Sequence, residues 1–330
     1  MSTTEFQPPF YLGIDLGGTN IKSGVVDDSG RPVSSVTLRT HAERGPEAGI
    51  DTLVEAGNRA VAATEMGWER IAAVGLGSPG TLDLDTGMLL DPPNLPGWTN
   101  LPIRQRLAER FGRPTLLQND GNAAAFGEYW AGAGRDVESL VLFTLGTGIG
   151  GGIVERGRLI VGRHSHGAEC GHIIIQMDNA RPCPCGGAGH LEAYASATAL
   201  VSRAREALDA DQASTLRTHR AGGTLTSRAI AEAADAGDPL ARRLMDETAR
   251  YLAIGAVSLM HTIDPDLVLF GGGMIAAGSG FLDAIRRQVQ TLAFPIPAAH
   301  TRIAFAALGG DAGFIGAAGC ARQQFGAETA

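Results

Sequence analysis

A strand, a glycine turn and a second strand occur twice in this chain, at 11–27 and again at 139–155, and in each copy helices and further strands follow. A pattern repeated at that separation constrains the chain to a duplicated α/β unit, and a cleft between the copies is the simplest architecture that fits. The first copy reads YLGIDLGG, NIKSGVVDD and RPVSSVTLRT, three strands with alternating and β-branched residues, joined by Gly17-Gly18-Thr19 and then by Ser29-Gly30. A helix over 45–66, a strand at 71–80, a helix over 101–111, the strand TLLQND and an alanine-rich helix from Gly121 give the order βββαβαβα. The second copy opens with LVLFTLGTG, GGIVERG and RLIVG, turning at Gly146-Thr147-Gly148. Helices follow, one opened by Asp238-Pro239 as N-cap and first-turn proline. Then come the strand DLVLFGGG, a helix over 279–293, the strand TRIAFAAL and a last helix from Asp311. That helix is expected to return to the first lobe. The predicted lobes are 1–122 plus about 310–330, and 123–309, with the hinge between 120 and 140.

At 330 residues the chain is long enough for two domains of ordinary size. With 27 basic against 35 acidic residues its net charge is −8, which argues against nonspecific binding to nucleic acid or to an anionic membrane surface. No apolar run approaches the ~18 residues of a membrane span. The start, MSTTEFQPPF, lacks the basic and apolar regions of a secretory signal, so the expected location is cytoplasmic. Four cysteines, Cys170, Cys183, Cys185 and Cys320, are too few and too irregular for a disulfide framework.

The turn Asp15 to Asn20, DLGGTN, has the chemistry of a phosphate site. Gly17 and Gly18 let main-chain N–H groups approach a polyphosphate closely, beside Thr19 and Asn20, while the Asp15 carboxylate can hold a hydrated Mg²⁺. The competing reading is a plain β-hairpin whose glycines supply positive φ. The spacing matches neither a dinucleotide fingerprint nor a Walker loop. LGTGIGGG, from Leu145, offers a second such turn through Gly146, Thr147 and Gly148, and two of them could grip a polyphosphate from both sides. In VLFGGG, Gly272 and Gly273 give either flat backbone for an adenine or ribose, or an ordinary βα turn. Lys22, the single lysine of the chain, could reach a phosphate as a point charge.

Asn119 and Asp120 stand at a strand end opening a helix. A carboxylate there can take a proton from a hydroxyl nucleophile held in line with a phosphoryl group, or Asp120 or Asn122 can simply cap the helix. The densest cluster runs from His166 to Glu192. Cys183 and Cys185 as thiolates with His172 and His190 as imidazoles suit a closed, tetrahedral, structural Zn²⁺, against the alternative of reduced, packed cysteines. Glu169 and Glu192 flank that loop, and ionised carboxylates can each accept from two hydroxyls of a polyhydroxylated ligand. A glycosidase also needs two carboxylates, but the phosphate turns argue against that use.

DLGGTN (15–20), GSPG (77–80), NLPGW (94–98), QNDGNAA (118–124), LGTGIGGG (145–152), HGAECGH (166–172) and CPCGGAGHLE (183–192) together resemble the ROK family of sugar kinases and related repressors, and within it the bacterial glucokinases. The resemblance implies the actin-like ATPase, ribonuclease H-like fold, with two lobes around a central cleft. It implies Asp120 as the base acting on the sugar hydroxyl, with Asn94, Asn119, Asp120, Glu169, His172 and Glu192 contacting the sugar. It further implies Asp15, Gly17, Gly18, Thr19, Gly146, Thr147 and Gly148 around Mg²⁺ and the phosphates of ATP, and Gly272 and Gly273 at the nucleoside. His172 serves twice in that scheme, one ring nitrogen on zinc and the other toward the sugar. Where the family has a third cysteine, in CxCGxxGCxE, this chain has His190. A Cys₂His₂ site is the reading, a weakened or absent metal the alternative.

The expected activity is ATP- and Mg²⁺-dependent phosphorylation of a hexose at its 6-hydroxyl, glucose first. N-acetylmannosamine, N-acetylglucosamine, fructose and allose are the competing acceptors, and polyphosphate the competing donor. A sugar-responsive repressor is the reading from another class. Those relatives carry an N-terminal helix-turn-helix, and here the first strand begins about ten residues from Met1. A non-catalytic sugar sensor is a third. The family implies a homo-oligomer, dimer or tetramer.

Overall fold

The computed structural model describes residues 6–92 and 94–326. Two five-stranded sheets organise it. The first is built from β1 (Phe10–Leu16), β2 (Asn20–Val26), β3 (Val36–Arg39), then, after helix α1 (Gly45–Ala62), β4 (Ile71–Ser78). A small hairpin, β5 (Thr81–Asp83) and β6 (Met88–Asp91), and helix α2 (Ile103–Phe111) precede β7 (Thr115–Asn119) and helix α3 (Asp120–Ala131). The second sheet opens with β8 (Ser139–Leu145), β9 (Ile149–Glu155) and β10 (Arg158–Leu159). Five helices follow: α4 (Glu192–Ala195), α5 (Ala197–Asp209), α6 (Leu216–Ala221), α7 (Ser227–Asp235) and α8 (Pro239–Ile263). The chain ends with β11 (Leu267–Gly271), α9 (Ser279–Leu292), α10 (Pro295–His300), β12 (Arg302–Phe305) and α11 (Ala312–Phe325).

The strand orders are β3-β2-β1-β4-β7 and β10-β9-β8-β11-β12, the same plan twice: an antiparallel meander, then parallel strands added beside its first member. The expected duplication is therefore present in the backbone. The chain divides into two compact units. Unit 1 runs through Glu138, takes in Gly152–Ala168 and resumes at Ala307; unit 2 is Ser139–Gly151 and Glu169–Ala306. The first crossing falls after α3, so the helix that begins at Asp120 belongs wholly to unit 1.

In unit 1 the two faces of the sheet follow from its period of two. Leu12, Ile14, Val74 and Leu76 point to α1 and α2, meeting Ile50, Leu53 and Leu107. Tyr11 and Ala73 point the other way, to Phe314, Ile315 and Ala318 of α11. The α11 face is lined with glycine for a steric reason. A Cβ on Gly13 would stand 1.8 Å from the Phe314 carbonyl oxygen, one on Gly75 1.8 Å from that of Ala317, and one on Gly316 1.6 Å from that of Ala123. Helix α11 thus lies backbone to backbone on the sheet and on α3. In unit 2, β11 is buried along its whole length, as a parallel strand covered on both faces must be, and Phe270 stacks on Phe143 of β8 at 5.4 Å.

Two expectations differ from the structure. RPVSSVTLRT forms a continuous ladder only over Val36–Arg39, with Pro32 in an isolated bridge to Val26. Pro32 has no N–H to give, and the amides of Val33 and Ser34 both turn to the Val25 carbonyl, so the ladder starts late. The β5–β6 hairpin is the second; Asp83 accepts the Thr86 N–H at 3.1 Å and turns a segment that has too few residues for a clear alternation. The Asp238 cap is present as expected, accepting the Ala241 N–H at 2.9 Å. Among the described residues no helix is long and apolar enough to cross a membrane.

Candidate active site

In unit 1 the C-terminal ends of three parallel strands meet at one sheet edge. Asp15 of β1 pairs in register with Gly77 of β4, and Ser78 pairs with Asn119 of β7. Open α/β sheets present ligands at that edge, where N-termini of the following helices supply unpaired N–H groups. Helix α3 starts there, and so does α11: a Cβ on Gly313 would stand 2.4 Å from an Asp15 carboxylate oxygen.

The two acids of this edge share one electrostatic environment. Burial pushes Asp15 up to about 7, the Asp120 carboxylate adds to the rise, and Lys22 opposes it. Asp120 is also raised, by burial, against hydrogen bonds from backbone N–H groups and the Asn119 side chain. Neither Asp120 nor Asn122 caps α3, which corrects the sequence reading. The cap is Asn119, whose extended backbone suits the position and whose side-chain oxygen accepts the Asn122 N–H at 3.1 Å. Its own N–H donates to Gln118 Oε1 at 2.8 Å. Asp120 is the first helical residue, with Oδ1 accepting the Gly121 N–H at 2.8 Å.

The first glycine turn is closed by Gly17 N–H donating to the Asn20 carbonyl at 2.9 Å. Thr40 braces it, with its hydroxyl on the Gly17 carbonyl at 2.6 Å and its N–H on that of Thr19 at 2.9 Å. Among the described residues no acceptor takes the amides of Gly18 and Thr19. The glycines are there for space, not for positive φ: a Cβ on Gly17 would come within 2.9 Å of the Asn20 carbonyl, and one on Gly18 within 2.9 Å of Asn94 Cβ. Exposed Asn94 therefore sits beside the turn. Lys22 is the cross-strand neighbour of Asp15 and is ion-paired to Asp311 at 2.5 Å, with its ammonium 5.9 Å from the Phe314 ring centre. Its charge is engaged at the start of α11.

In unit 2 the turn Gly146-Thr147-Gly148 joins β8 to β9, closed by Gly146 N–H on the Gly148 carbonyl at 3.0 Å, with Thr147 exposed. Neither of its glycines has a left-handed φ. Glu192, the first residue of α4, accepts the Ile149 N–H at 2.8 Å. Glu169 is exposed and its carbonyl accepts the His172 N–H at 3.0 Å. Gly272 does need its conformation: φ is +84° and a Cβ would meet the Leu145 carbonyl oxygen at 2.4 Å. Gly273 follows it into a short 3₁₀ turn lining a cavity of about 240 Å³ with Met274, Leu200, Ser227 and Arg228. Those α5 and α7 residues carry no sequence signal, since they lie on amphipathic helices far from any glycine motif. Gly313 and Asp311 were within reach of sequence reasoning, in the run Gly309-Gly310-Asp311-Ala312-Gly313.

His172, Cys183, Cys185 and His190 come together. One ligand atom from each lies within 4.8 Å of all the others; Cys185 Sγ is 3.1 Å from His190 Nδ1, and Cys183 Sγ is 3.8 Å from His172 Nδ1. Two soft sulfurs and two imidazoles fit a tetrahedral zinc. Burial pushes the Cys183 thiol up to about 11, so a thiolate at this position needs a cation beside it. Cys170 and Cys320 are buried, single and outside this group.

The model of the ROK family matches residues 11–324. A glucokinase of Thermotoga maritima is 36% identical over 318 residues, covering 96% of this chain and 98% of that protein. The crystal structure of a ROK hexokinase from Thermus thermophilus superposes with a TM-score of 0.82 at 36% identity, covering 96% of this chain and 98% of that one. A ROK family glucokinase from Streptomyces griseus, solved in complex with glucose and AMPPNP, gives 0.79 at 35% identity over 95% and 99% of the two chains.

Proposed function

This chain belongs to the ROK family, and we propose that it transfers the terminal phosphoryl group of ATP to the 6-hydroxyl of glucose. The observation that carries the reading is the pair Asp15 and Asp120 at one strand edge, each raised by burial, at the starts of two helices. A base for a sugar hydroxyl works best when its proton affinity is lifted toward the working pH, and burial does that for Asp120. The helix cap is made by Asn119, so the Asp120 carboxylate, with Oδ1 on the Gly121 N–H, is not used as the cap.

In the reaction Asp120 takes the proton of the sugar hydroxyl as its oxygen attacks the γ-phosphorus in line, and ADP departs. Asn94, Asn119, Glu169, His172 and Glu192 hold the other hydroxyls. The amides of Gly18 and Thr19, and the turn Gly146–Gly148 with the Thr147 hydroxyl, receive phosphate oxygens; Asn20 stands at the end of the first turn. Lys22 acts through its charge at the start of α11. Asp15 is the residue to hold a hydrated Mg²⁺, which when bound neutralises charge on the phosphates. Gly272 and Gly273, with the cavity beside them, take the nucleoside. His172, Cys183, Cys185 and His190 hold a closed zinc whose part is to fix the loop between Glu169 and Glu192. Self-association as a dimer or tetramer belongs to the same reading.

Replacing Asp120 by Asn tests it. The expected result is a fall in kcat of about 10³-fold with the glucose Kd, from calorimetry, changed by no more than about threefold. Turnover within tenfold of the parent enzyme overturns the base assignment. A panel of hexoses and donors compared by kcat/KM tests the choice of glucose and ATP.

A further inference from the structure

Ile149, the residue that follows the second glycine turn and opens β9, is held from two directions by the segments that carry the proposed sugar contacts. Its N–H donates to Glu192 Oε2 at 2.8 Å. On its other side a Cβ on Gly171 would stand 1.9 Å from its carbonyl oxygen, so the stretch between Glu169 and His172 lies against the same residue. The start of the turn is tied to that region as well, because Ala197, at the start of α5, donates its N–H to the Gly146 carbonyl at 3.0 Å. A Cβ on Gly148 would be 2.3 Å from Glu192 Oε2, so a side chain there displaces that carboxylate. The second oxygen of the same carboxylate, Oε1, faces Cys183 Sγ at 3.7 Å.

One carboxylate therefore has an oxygen on the phosphate turn and an oxygen directed away from it. An ionised carboxylate has capacity for about four hydrogen bonds, so Oε1 can take a sugar hydroxyl while Oε2 keeps Ile149. We propose that Glu192 is a positioning residue as well as a sugar contact: a hexose bound to it fixes the Gly146–Gly148 turn, so that hexose and nucleotide bind with positive coupling. The inference rests on the sugar-kinase reading above. A hydroxyl on Oε1 removes rotamer freedom from Glu192 and thereby from the turn, and nucleotide arriving afterwards loses less freedom by binding. The coupling is reciprocal, and the nucleotide tightens the hexose by the same factor.

Calorimetric titration of Mg²⁺·AMPPNP with and without saturating glucose tests this. In the parent protein glucose is expected to lower the nucleotide Kd about 5- to 20-fold. Gly148→Ala, which drives the carboxylate off the turn, and Glu192→Asp, which is one methylene too short to reach Ile149, are each expected to bring that ratio within about twofold of unity. Glu192→Gln keeps an oxygen for the Ile149 N–H, so it retains most of the ratio even though glucose binds more weakly. Thermal melting and bound metal monitor folding of each variant. A parent protein that binds both ligands with a ratio of one overturns the coupling and leaves the kinase reading standing. So does a wild-type ratio in folded Gly148→Ala and Glu192→Asp. A protein that binds neither glucose nor nucleotide overturns both.

Discussion

At the scale of single residues, Asp15 is held in an expensive state. Its folded-state value, about 7, lies above the 3.8 of an unperturbed aspartate, chiefly through burial. Between those two values the unfolded chain has lost a proton that the folded chain keeps, so stability falls as pH rises from about 4 to about 7 and is level above. Asp15→Asn removes that fall. In Mg²⁺-free buffer at pH 8 the variant is expected to be more stable than the parent by on the order of a few kcal/mol, with turnover abolished, and the two to converge near pH 4. Thermal melting across that range checks it; parallel curves sink it. The identities of Asp15 and Asp120 as acids at strand ends were legible from DLGGTN and QNDGN. The effect of Asp120 on Asp15 was not, because strands β1 and β7 become neighbours of β4 only through the parallel crossovers. Lys22 shows the same limit. As an isolated lysine near a glycine turn it reads as a free point charge, and its partner Asp311 lies at the other end of the sequence.

At the scale of elements, the loop from Cys170 to Leu191 is ordered by little apolar burial, since Ile174 and Met177 are exposed and Cys183 and Leu191 are the buried anchors near its end. A metal held by the four donors would substitute for a core there. Protein purified without chelator is expected to carry one zinc per chain, and Cys185→Ser to retain almost none after dialysis. Loss of the metal frees His172 and Glu192 from their fixed directions, raising the KM for glucose about tenfold or more. Elemental analysis alongside steady-state kinetics measures both; a metal-free parent with ordinary glucose KM refutes the role. The four donors were legible from spacing and softness alone. The surroundings of His190, in the place of the family's third cysteine, are local: His190 forms an isolated antiparallel bridge with Ile174, Gly187 leaves room for its ring, and Gly189 takes a left-handed φ just before it. Helix α11 illustrates the opposite case. Its pattern of glycine and alanine announces a helix, but only the contacts of Gly13, Gly75 and Gly316 explain why none of them can carry a side chain.

At the scale of the whole molecule, the duplication was legible because each copy repeats a period-two hairpin with a glycine turn, a signal confined to about seventeen residues per copy. The division of the chain was harder to read, since it follows contacts made by segments far apart in sequence. Unit 1 needs its last helix: Phe314, Ile315 and Ala318 complete the core that holds Tyr11, Val26 and Ala73, and Glu128 of α3 accepts the N–H groups of Ala307 and Leu308 as the chain re-enters that unit. Glu128 is fully buried, and without residue 307 onward it loses two of its N–H donors. Ending the chain at Ala306 therefore uncovers one whole face of the first sheet together with a buried carboxylate, a combination that costs more than the ~5–15 kcal/mol by which a domain is ordinarily stable. The truncated chain is expected to be inactive, to bind a hydrophobic dye, and to lose the amide protection of β1 and β4 while β8 and β11, whose partners all lie before residue 307, stay protected. Hydrogen exchange resolved by peptide reads that contrast directly. Equal protection of β1 in the full and truncated chains would show that the sheet stands without α11, against the packing described.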